Sequence, residues 1–494
     1  MTGLTRTTTL KNRPMRTEVV IKFTGYVLLF NALFLLIAFF ISLFHGETST
    51  IPLLFSGLIC IIFGAFPFIF VEDQDNVSFS EGLAIVVGGW VITCIIGMLP
   101  YIMWGGEFSL VNAWFESVSG FTTTGSSILN NIEALPKGLL FWRSATHWIG
   151  GIGIVMFVLL ILPQSTSSRL TLLNAEMSEL SKLNFRYKAR KIIHVLIIVY
   201  VGLTAVQTLT LWALGMSLFD AINHSFATIA TGGFSTKNSS VAFFKSPSIE
   251  IVIMIFMVLS GMHFGLLYGT ITGRAENIFK SSVAKSFIVI LLLGILLVSA
   301  KLYFSGYYNI WDSLRFGSFQ VISLGTTTGF ATADSNPWPA FTHIILIYFT
   351  IQCAMVGSTS GGLKFDRVYL FFRSLRKQLK LIQHPRAVVV VKINNRVISE
   401  QLEALTMVFV VLYIFTFFVT TLVLTSLDVD LYTAFSASIA TIGNVGPGFG
   451  DVSSLANFST LPSTGKFVLT LNMLLGRLEI FNIIALLMVR KGNF

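Results

Sequence analysis

The chain has 494 residues, of which 54% are hydrophobic and only 11% are charged, and it carries a formal net charge of +10. So much apolar surface does not fit inside one water-soluble core, so the composition excludes an ordinary soluble enzyme and favours a membrane protein. The positive charge does not indicate nucleic-acid binding, because its distribution follows membrane topology.

Apolar runs close to the roughly 20 residues that cross a bilayer predict ten transmembrane helices. These runs are 22–44, 50–71, 82–103, 142–163, 192–215, 249–272, 283–304, 341–363, 404–426 and 466–489. The first run is too long for a signal peptide and lacks a cleavage site, so we expect it to be retained. Cys60, Cys94 and Cys353 lie inside these runs without paired spacing, which predicts buried core residues rather than disulfides.

Lysine and arginine concentrate on one side of the predicted topology. With a cytoplasmic N-terminus, 25 of the 33 basic residues fall in the cytoplasmic segments 1–22, 165–191, 273–285, 364–396 and 490–494. The positive-inside rule therefore predicts that both termini are cytoplasmic. The acidic stretch "VEDQDN" at 71–76 does not fit this pattern, although acidic residues contribute little to the rule.

Four stretches rich in Ser, Thr and Gly form an internal repeat: "SVSGFTTTGSS", "ATIATGGFSTKNSS", "VISLGTTTGFATADS" and "SIATIGNVGPGFGD". Our alignment places Gly125, Gly232, Gly329 and Gly446 in register. Each glycine follows an apolar stretch of roughly 10 to 14 residues, too short to cross a bilayer and suited to entering it part way. These stretches are 110–121, 218–230, 311–324 and 430–441.

The repeat predicts an all-α polytopic membrane protein with four pseudo-symmetric units around one pore, each a long helix, a half-helix, a loop and a long helix. Two extra transmembrane helices precede the units. We expect an N-terminal tail with these helices over 1–75 and pore repeats over 76–180, 181–280, 281–400 (with a gating loop) and 401–494.

A loop at membrane depth must be buried in protein or line a water-filled cavity, because lipid cannot satisfy its backbone groups. Four such loops around one axis can offer rings of backbone carbonyls that replace the hydration shell of a cation. The predicted ion-facing carbonyls belong to Thr123, Thr124, Gly125, Ala230, Thr231, Gly232, Thr327, Thr328, Gly329, Asn444, Val445 and Gly446. Alternatives are close helix packing by small residues and an alternating-access transporter, although the latter usually repeats in two halves.

The eighth run contains six consecutive poor helix formers: Gly357, Ser358, Thr359, Ser360, Gly361 and Gly362. They predict an unwound segment below the third loop that acts as a gate, while the GxxxG match of Gly357 and Gly361 also fits a helix-packing face. Arg477 lies near the middle of the last run, where arginine costs about 2.5 to 3.5 kcal/mol. It is expected to face a cavity or an ion-pair partner on another helix, since Glu479, two residues away, lies on a different face.

The remaining polar residues give no signal of catalysis. His147, His224, His263 and His343 lack metal-ligand spacing and are interpreted as hydrogen-bonded helix or pore-wall residues. The sequence contains no phosphate loop, HExxH or GxSxG motif, which predicts a protein that is not an enzyme, without an organic cofactor or a transition-metal site.

Several motifs together resemble the Trk/Ktr/HKT superfamily of potassium transporters: the four half-helix and glycine repeats, "ATGGFST" at 230–236, "AMVGSTSGGLKFDR" at 354–367 and "GRLEIF" at 476–481. The two extra N-terminal helices and "LPKGLLFWRSATHWIGGIGIVMFVLLILP" are similar to its bacterial TrkH branch. The resemblance implies a K⁺-selective pathway with one filter glycine per repeat, at Gly125, Gly232, Gly329 and Gly446. It also implies an intramembrane gate at 357–362 with Arg477 beside it.

The same resemblance implies a homodimer in the bacterial inner membrane, with one pore per protomer and a cytoplasmic nucleotide-binding regulatory ring of the TrkA type. The basic segment 364–396 either docks that ring or sets topology against lipid. Family members with serine at the first filter glycine pass sodium, so Gly125 favours potassium. The fourth repeat departs from the Thr-Thr-Gly pattern at Asn444, Val445 and Pro447. A sodium-permeable or cation-symporting member, or a repeat-built transporter of an organic solute, remains the alternative.

Overall fold

The computed structural model describes residues 15–72, 77–151, 153, 189–274, 277–394 and 396–490. These residues form α-helices and a short antiparallel hairpin of β1 (Lys392–Ile393) and β2 (Arg396–Val397). The helices are α1 (Thr17–Phe44), α2 (Thr50–Ala65), α3 (Pro67–Phe70), α4 (Phe79–Gly97), α5 (Leu99–Trp104), α6 (Leu110–Phe121), α7 (Lys137–Gly151), α8 (Ala189–Ala213), α9 (Leu218–Ile229), α10 (Pro247–Gly261), α11 (Phe264–Ile271), α12 (Ser282–Phe304), α13 (Ile310–Gly325), α14 (Ala340–Gln352), α15 (Phe365–Gln383), α16 (Glu400–Thr425), α17 (Leu431–Ile442), α18 (Ser463–Leu478) and α19 (Ile480–Arg490).

Six of the ten predicted spans are confirmed as helices of crossing length. Within the described residues these are Thr17–Phe44, Thr50–Phe70, Phe79–Trp104, Ile192–Ala213, Ser282–Phe304 and Glu400–Thr425. Two further spans are helix pairs bent at a short break, which gives up to eight crossings. The second half of the predicted run 142–163 lies outside the described residues, as do most of the basic segment 165–191 and of the N-terminal tail.

Three predicted runs are not continuous helices. The run 249–272 bends by 107° between α10 and α11, and the run 466–489 bends by 96° between α18 and α19. In the run 341–363, helix α14 ends at Gln352 and residues 353–364 are not helical. Unwinding at 357–362 is therefore confirmed, but the non-helical segment is longer than predicted.

All four predicted half-helices are confirmed, as α6, α9, α13 and α17, with ends within one residue of prediction. Each begins after a side chain that accepts a hydrogen bond from a backbone N–H of the first helical turn: Ser109, Ser217, Asn309 and Asp430. Such N-caps satisfy donors that the helix itself leaves free. The local sequence therefore fixes where each half-helix starts.

The distribution of polarity differs from that in a soluble protein at the outer surface and around the half-helices. The outer helices expose large apolar side chains, such as Phe44, Ile69 and Phe304. The half-helices and the loops after them are buried although they are rich in Ser and Thr; Thr123 and Thr327, for example, have no exposed surface. An apolar exterior around buried polar loops is what a membrane-spanning protein with an internal pathway requires.

Candidate functional site

The loops that directly follow α6, α9, α13 and α17, here loops 1 to 4, meet in a closed ring. In each loop a glycine lies so close to a backbone carbonyl of the next loop that a Cβ atom would clash with it. The pairs are Gly125 with Gly232 O, Gly233 with Thr328 O, Gly329 with Val445 O, and Gly446 with Thr124 O. The contacts run from loop 1 through loops 2, 3 and 4 and back to loop 1, so the loops surround one common axis, as predicted.

The four loops share one backbone conformation. The ring glycines, Gly125, Gly233, Gly329 and Gly446, have φ angles of 82°, 81°, 79° and 99°. The residues two positions earlier, Thr123, Thr231, Thr327 and Asn444, also have positive φ, between 53° and 62°. Positive φ is unfavourable for threonine, so the surrounding protein must hold these residues in place, as is common at functional sites.

This geometry corrects the predicted register of the second loop by one residue. In all four loops the N–H before the ring glycine donates to the carbonyl five residues earlier: Thr124 to Ser119, Gly232 to Ala227, Thr328 to Ser323, and Val445 to Ala440. The equivalent of Gly125 is therefore Gly233 and not Gly232, and Ala230 is the C-cap of α9 with helical angles. The sequence "TGG" offers two adjacent glycines, and only the structure distinguishes them.

One side of the ring opens into a small cavity of about 70 Å³. All four ring glycines line it, together with polar groups that include Ser126, Ser127 and Ser235. The half-helices end at the ring, at Phe121, Ile229, Gly325 and Ile442. Their C-terminal ends carry partial negative charge, which makes the ring attractive to a cation and unattractive to an anion.

On the other side of the ring, residues 353–364 form a buried inner loop. Thr359 Oγ1 donates to Ile229 O at the end of α9, 2.9 Å away, and Gly362 N donates to Gly476 O over 3.2 Å. Gly361 lies against the carboxamide of Asn444, where a Cβ would clash. The inner loop therefore contacts the second and the fourth repeat directly beneath the ring.

The inner loop also explains why α10 does not continue into α11. Met355 N donates to Gly261 O at 3.0 Å, and Phe264 N donates to Gly357 O at 3.0 Å. These bonds occupy backbone groups that an uninterrupted helix would use itself. The last span breaks at Glu479 (φ 63°), whose carboxylate lies 2.8 Å from Arg367 and 3.6 Å from Lys364.

Arg477 joins the inner loop to the ring. Its guanidinium donates to Gly150 O (2.5 Å), Gly151 O (2.6 Å), Thr123 Oγ1 (3.2 Å) and the carbonyl of Thr359. Carbonyl and hydroxyl oxygens of three different segments thus surround the charge. Arg477 thus lies between α7, loop 1 and the inner loop, and its role in a gate stays a prediction.

The histidines are hydrogen-bonded, as predicted. Phe234 N donates to His147 Nε2 at 3.1 Å, so Nδ1 carries the proton shared with Gly120 O at 2.6 Å. His224 bonds to Ser235 Oγ and the carbonyl of Asp220, His263 accepts from Gly265 N, and His343 bonds to Ser335 O and the hydroxyl of Tyr432. His147 thereby links half-helix α6 to loop 2, a role that the sequence did not reveal.

Sequence reasoning also missed a buried ion pair beside the ring. Arg143 on α7 lies 2.7 Å from Glu116 on α6, and both side chains are almost fully buried. The available signal was a charged residue inside a predicted membrane helix and another inside a half-helix, where charges are costly.

Comparisons with known proteins agree on one family. The model of the family described as "TrkH: Cation transport protein" matches residues 53–492. The Trk system potassium uptake protein TrkH of Salmonella typhimurium is 36% identical over 422 residues, covering 84% of this chain and 86% of that protein. TrkG of Escherichia coli is 30% identical over 482 residues, covering 95% and 97%. The crystal structure of the potassium transporter TrkH from Vibrio parahaemolyticus superimposes with a TM-score of 0.86 at 29% identity, covering 96% of this chain and 99% of that one.

Proposed function

This chain belongs to the TrkH family of cation transport proteins, and on that premise we propose that it is the K⁺-conducting uptake subunit of a bacterial inner membrane. The observation that carries the proposal is the closed ring in which each of four loops places a carbonyl against the glycine of its neighbour. Relatives over nearly the whole chain are named potassium uptake proteins, which supports K⁺ as the permeant ion.

The ring acts as the selectivity filter. A K⁺ ion that enters it exchanges water for backbone carbonyl oxygens. The oxygens belong to residues of equal backbone position in the four loops: Thr123, Thr124, Gly125, Thr231, Gly232, Gly233, Thr327, Thr328, Gly329, Asn444, Val445 and Gly446. The ring glycines are required for two reasons. Their positive φ values are unfavourable for other residues, and the carbonyl of the next loop leaves no space for a Cβ atom.

The half-helices supply the electrostatics. Each directs its negative end at the ring and contributes about 0.3 to 1 kcal/mol to the stability of a cation there. No covalent chemistry is needed, since a membrane potential of 100 mV favours entry of one positive charge by about 2.3 kcal/mol. The chain thus works as a regulated pathway and not as an enzyme.

The inner loop and Arg477 form the gate. The loop lies beneath the ring and is held there by hydrogen bonds from Thr359 and Gly362. Arg477 places a positive charge beside Thr123. A cation leaving the ring meets this charge, so the closed arrangement opposes conduction. Movement of the inner loop releases the hydrogen bond between Thr359 and Arg477 and opens the path.

Orientation and partners complete the proposal. Both termini are cytoplasmic, because that orientation places most basic residues inside. The segment 364–396, which contains α15 and strand β1, docks a nucleotide-binding regulatory ring of the TrkA type. The protein is a homodimer with one pore per protomer. Names of relatives that refer to a "Trk system" support a multi-component assembly.

Bi-ionic flux in proteoliposomes tests the function. With the purified chain reconstituted alone and with its regulatory partner, we expect K⁺ and Rb⁺ to permeate while Na⁺ is excluded. Permeation of Na⁺ in preference to K⁺ identifies a sodium-permeable relative and contradicts the proposal. Absence of ion flux without an added organic solute identifies a secondary transporter and contradicts it as well.

A further inference from the structure

A buried ion pair connects α6, α7 and the loops outside the ring. Arg143 Nε donates to Glu116 Oε1 at 2.8 Å, and the charged groups approach to 2.7 Å. Arg143 is 1% exposed and Glu116 has no exposed surface. Burying two charges is costly, and a buried ion pair is stable only where further hydrogen bonds satisfy both groups.

The further hydrogen bonds all go to loops 1 and 2. Glu116 accepts from Ser127 Oγ (2.9 Å) and from Ile128 N (3.0 Å) of loop 1. Arg143 donates to Ser127 Oγ (3.2 Å) and to Ser235 O of loop 2 (3.1 Å). Ser127 and Ser235 each follow a ring glycine by two residues, so the pair holds equivalent positions of two neighbouring loops.

Aromatic contacts extend this link. The Arg143 guanidinium lies 3.9 Å from the ring centroid of Phe234, and Phe234 stacks on His147 with a centroid distance of 4.1 Å. A planar guanidinium has a fixed fork of donors, unlike the flexible ammonium of lysine. Arg143 can therefore set the distance between the loops, and not only supply a charge.

Among the residues that the structure describes, the hydrogen bonds between the other neighbouring loops join neutral groups. Ser126 Oγ donates to Gly446 O (3.0 Å) between loops 1 and 4, and Ser335 Oγ lies 3.1 Å from Ser454 Oγ between the segments that follow loops 3 and 4. Ala331 N donates to Ser240 Oγ (3.2 Å) between loop 3 and the segment that follows loop 2. The contact between loops 1 and 2 thus differs from the rest in kind.

The position of the pair also explains why it must be neutral overall. Arg143 lines the cavity through which a cation reaches the ring. An uncompensated guanidinium there would repel the cation in a region of low dielectric constant. Glu116 cancels that charge and leaves the geometric effect of the arginine.

We propose that Glu116 and Arg143 are positioning residues that fix the spacing between loops 1 and 2 and thereby determine the K⁺/Na⁺ selectivity of the ring. The inference rests on the proposed function as a K⁺ pathway. Neither residue contacts the ion; both act through Ser127, Ile128 and Ser235.

The test compares Glu116→Gln, Arg143→Met and the double variant in reconstituted membranes. We expect the K⁺/Na⁺ permeability ratio to fall by about tenfold in all three variants. A factor of ten corresponds to about 1.4 kcal/mol, which is a typical interaction energy between coupled groups. Total cation flux should be lowest in Glu116→Gln, where the arginine charge is unpaired, and should recover in the double variant while selectivity stays low. Ser127→Ala, a smaller change that removes one link, should lower the ratio to a lesser degree.

Arg315→Met is the matched control, because it breaks an ion pair of 2.6 Å with Glu250 that makes no bond to the loops. It should keep the wild-type ratio. A wild-type ratio in a folded Glu116→Gln/Arg143→Met variant, or in Ser127→Ala together with Arg143→Met, overturns the proposal.

Hydrogen–deuterium exchange of the same purified variants gives a second readout that does not depend on the identity of the ion. Exchange should accelerate in residues 122–130 and 230–238 and stay unchanged in 326–334. Equal exchange in all loops contradicts the positioning role. If the wild-type chain passes no K⁺, the proposed function fails, and the exchange result alone decides whether the pair positions the loops.

Discussion

Asn444 Nδ2 donates a hydrogen bond to Thr124 Oγ1, 2.9 Å away, and so joins the fourth loop to the first. The same Nδ2 donates to Met473 O on α18, also at 2.9 Å. Asparagine stands where the other three loops have threonine, and its longer side chain reaches both partners. The departure from the repeat thus closes the ring on the side where α18 passes.

Replacing this side chain by an apolar one of similar size should loosen the ring. Asn444→Leu leaves Thr124 Oγ1 and Met473 O without this donor, and we expect the K⁺/Na⁺ permeability ratio to fall by about three- to tenfold. Bi-ionic reversal potentials measure it. Asn31→Leu is the control, since buried Asn31 bonds to Val27 O within α1; equal losses in both variants would contradict a specific role of Asn444.

The ring glycines give a prediction that tests the corrected register. Gly233→Ala and Gly329→Ala add a Cβ that clashes with Thr328 O and Val445 O, so both should lose K⁺ selectivity. Gly215→Ala imposes similar strain (φ 97°) with no neighbouring atom within 4 Å. It should reduce stability by about 1 kcal/mol and leave selectivity intact. If Gly233→Ala still conducts K⁺ selectively, the ring glycine of the second loop is Gly232 and not Gly233.

The inner loop predicts variants with increased flux. In Gly361→Ala the new Cβ clashes with the Asn444 carboxamide, so the variant should displace the inner loop. We expect this displacement to raise ⁸⁶Rb⁺ uptake into proteoliposomes. Deletion of 357–362 should raise the uptake further. An increase of about tenfold corresponds to a barrier lower by about 1.4 kcal/mol. Gly202→Ala on α8, with open space around the new methyl group, should behave as wild type. Unchanged or reduced flux in folded deletion variants would favour helix packing as the role of these residues.

Arg477→Gln removes the positive charge below the ring while keeping a donor for Thr123 Oγ1 or Thr359 O. We expect higher cation flux in the absence of the regulatory partner, because the electrostatic barrier is lower. Lys301→Gln removes a cation from the end of α12 and serves as the control. Should both variants conduct like the wild type, Arg477 is a structural residue and not part of the gate.

The last span breaks at Glu479, which forms two ion pairs. Its carboxylate is 12% exposed and pairs with Arg367 and Lys364, so Glu479→Gln leaves two cations poorly compensated and should lower the free energy of unfolding by about 3 kcal/mol. Glu400→Gln removes a carboxylate that is 91% exposed and lies 3.7 Å from Lys377, and it should cost less than about 1 kcal/mol. Thermal unfolding in detergent compares the two, and similar melting temperatures would show that Glu479 is dispensable.

Much of the architecture was predictable because its signals are local. Continuous apolar runs mark the spans, and shorter ones that end in Thr and Gly mark the half-helices. Ser109, Ser217, Asn309 and Asp430 mark their starts through hydrogen bonds that span only a few residues. Glycines and threonines at a fixed spacing marked the loops after the half-helices, whereas the positive φ of Thr123 and Gly125 became visible only in the structure.

Other features have no local signal. The run through Met262 is as apolar as an unbroken helix, and its break follows from hydrogen bonds with Met355 and Gly357 of the inner loop. The pairing of Glu116 with Arg143 joins residues on two helices, and neither residue identifies its partner by spacing. In the second loop, Gly232 and Gly233 are equivalent in the sequence and differ in φ and in the groups around them.

The sequence by itself determined that the chain crosses a membrane, repeats four times and interrupts each repeat with a polar loop, because transfer free energy and backbone preference add up residue by residue. Only the tertiary structure decided which glycine faces the neighbouring carbonyl, where the spans bend and which charges meet. These depend on directions of carbonyls and side chains from separate repeats, which become defined only when the four loops pack around one axis.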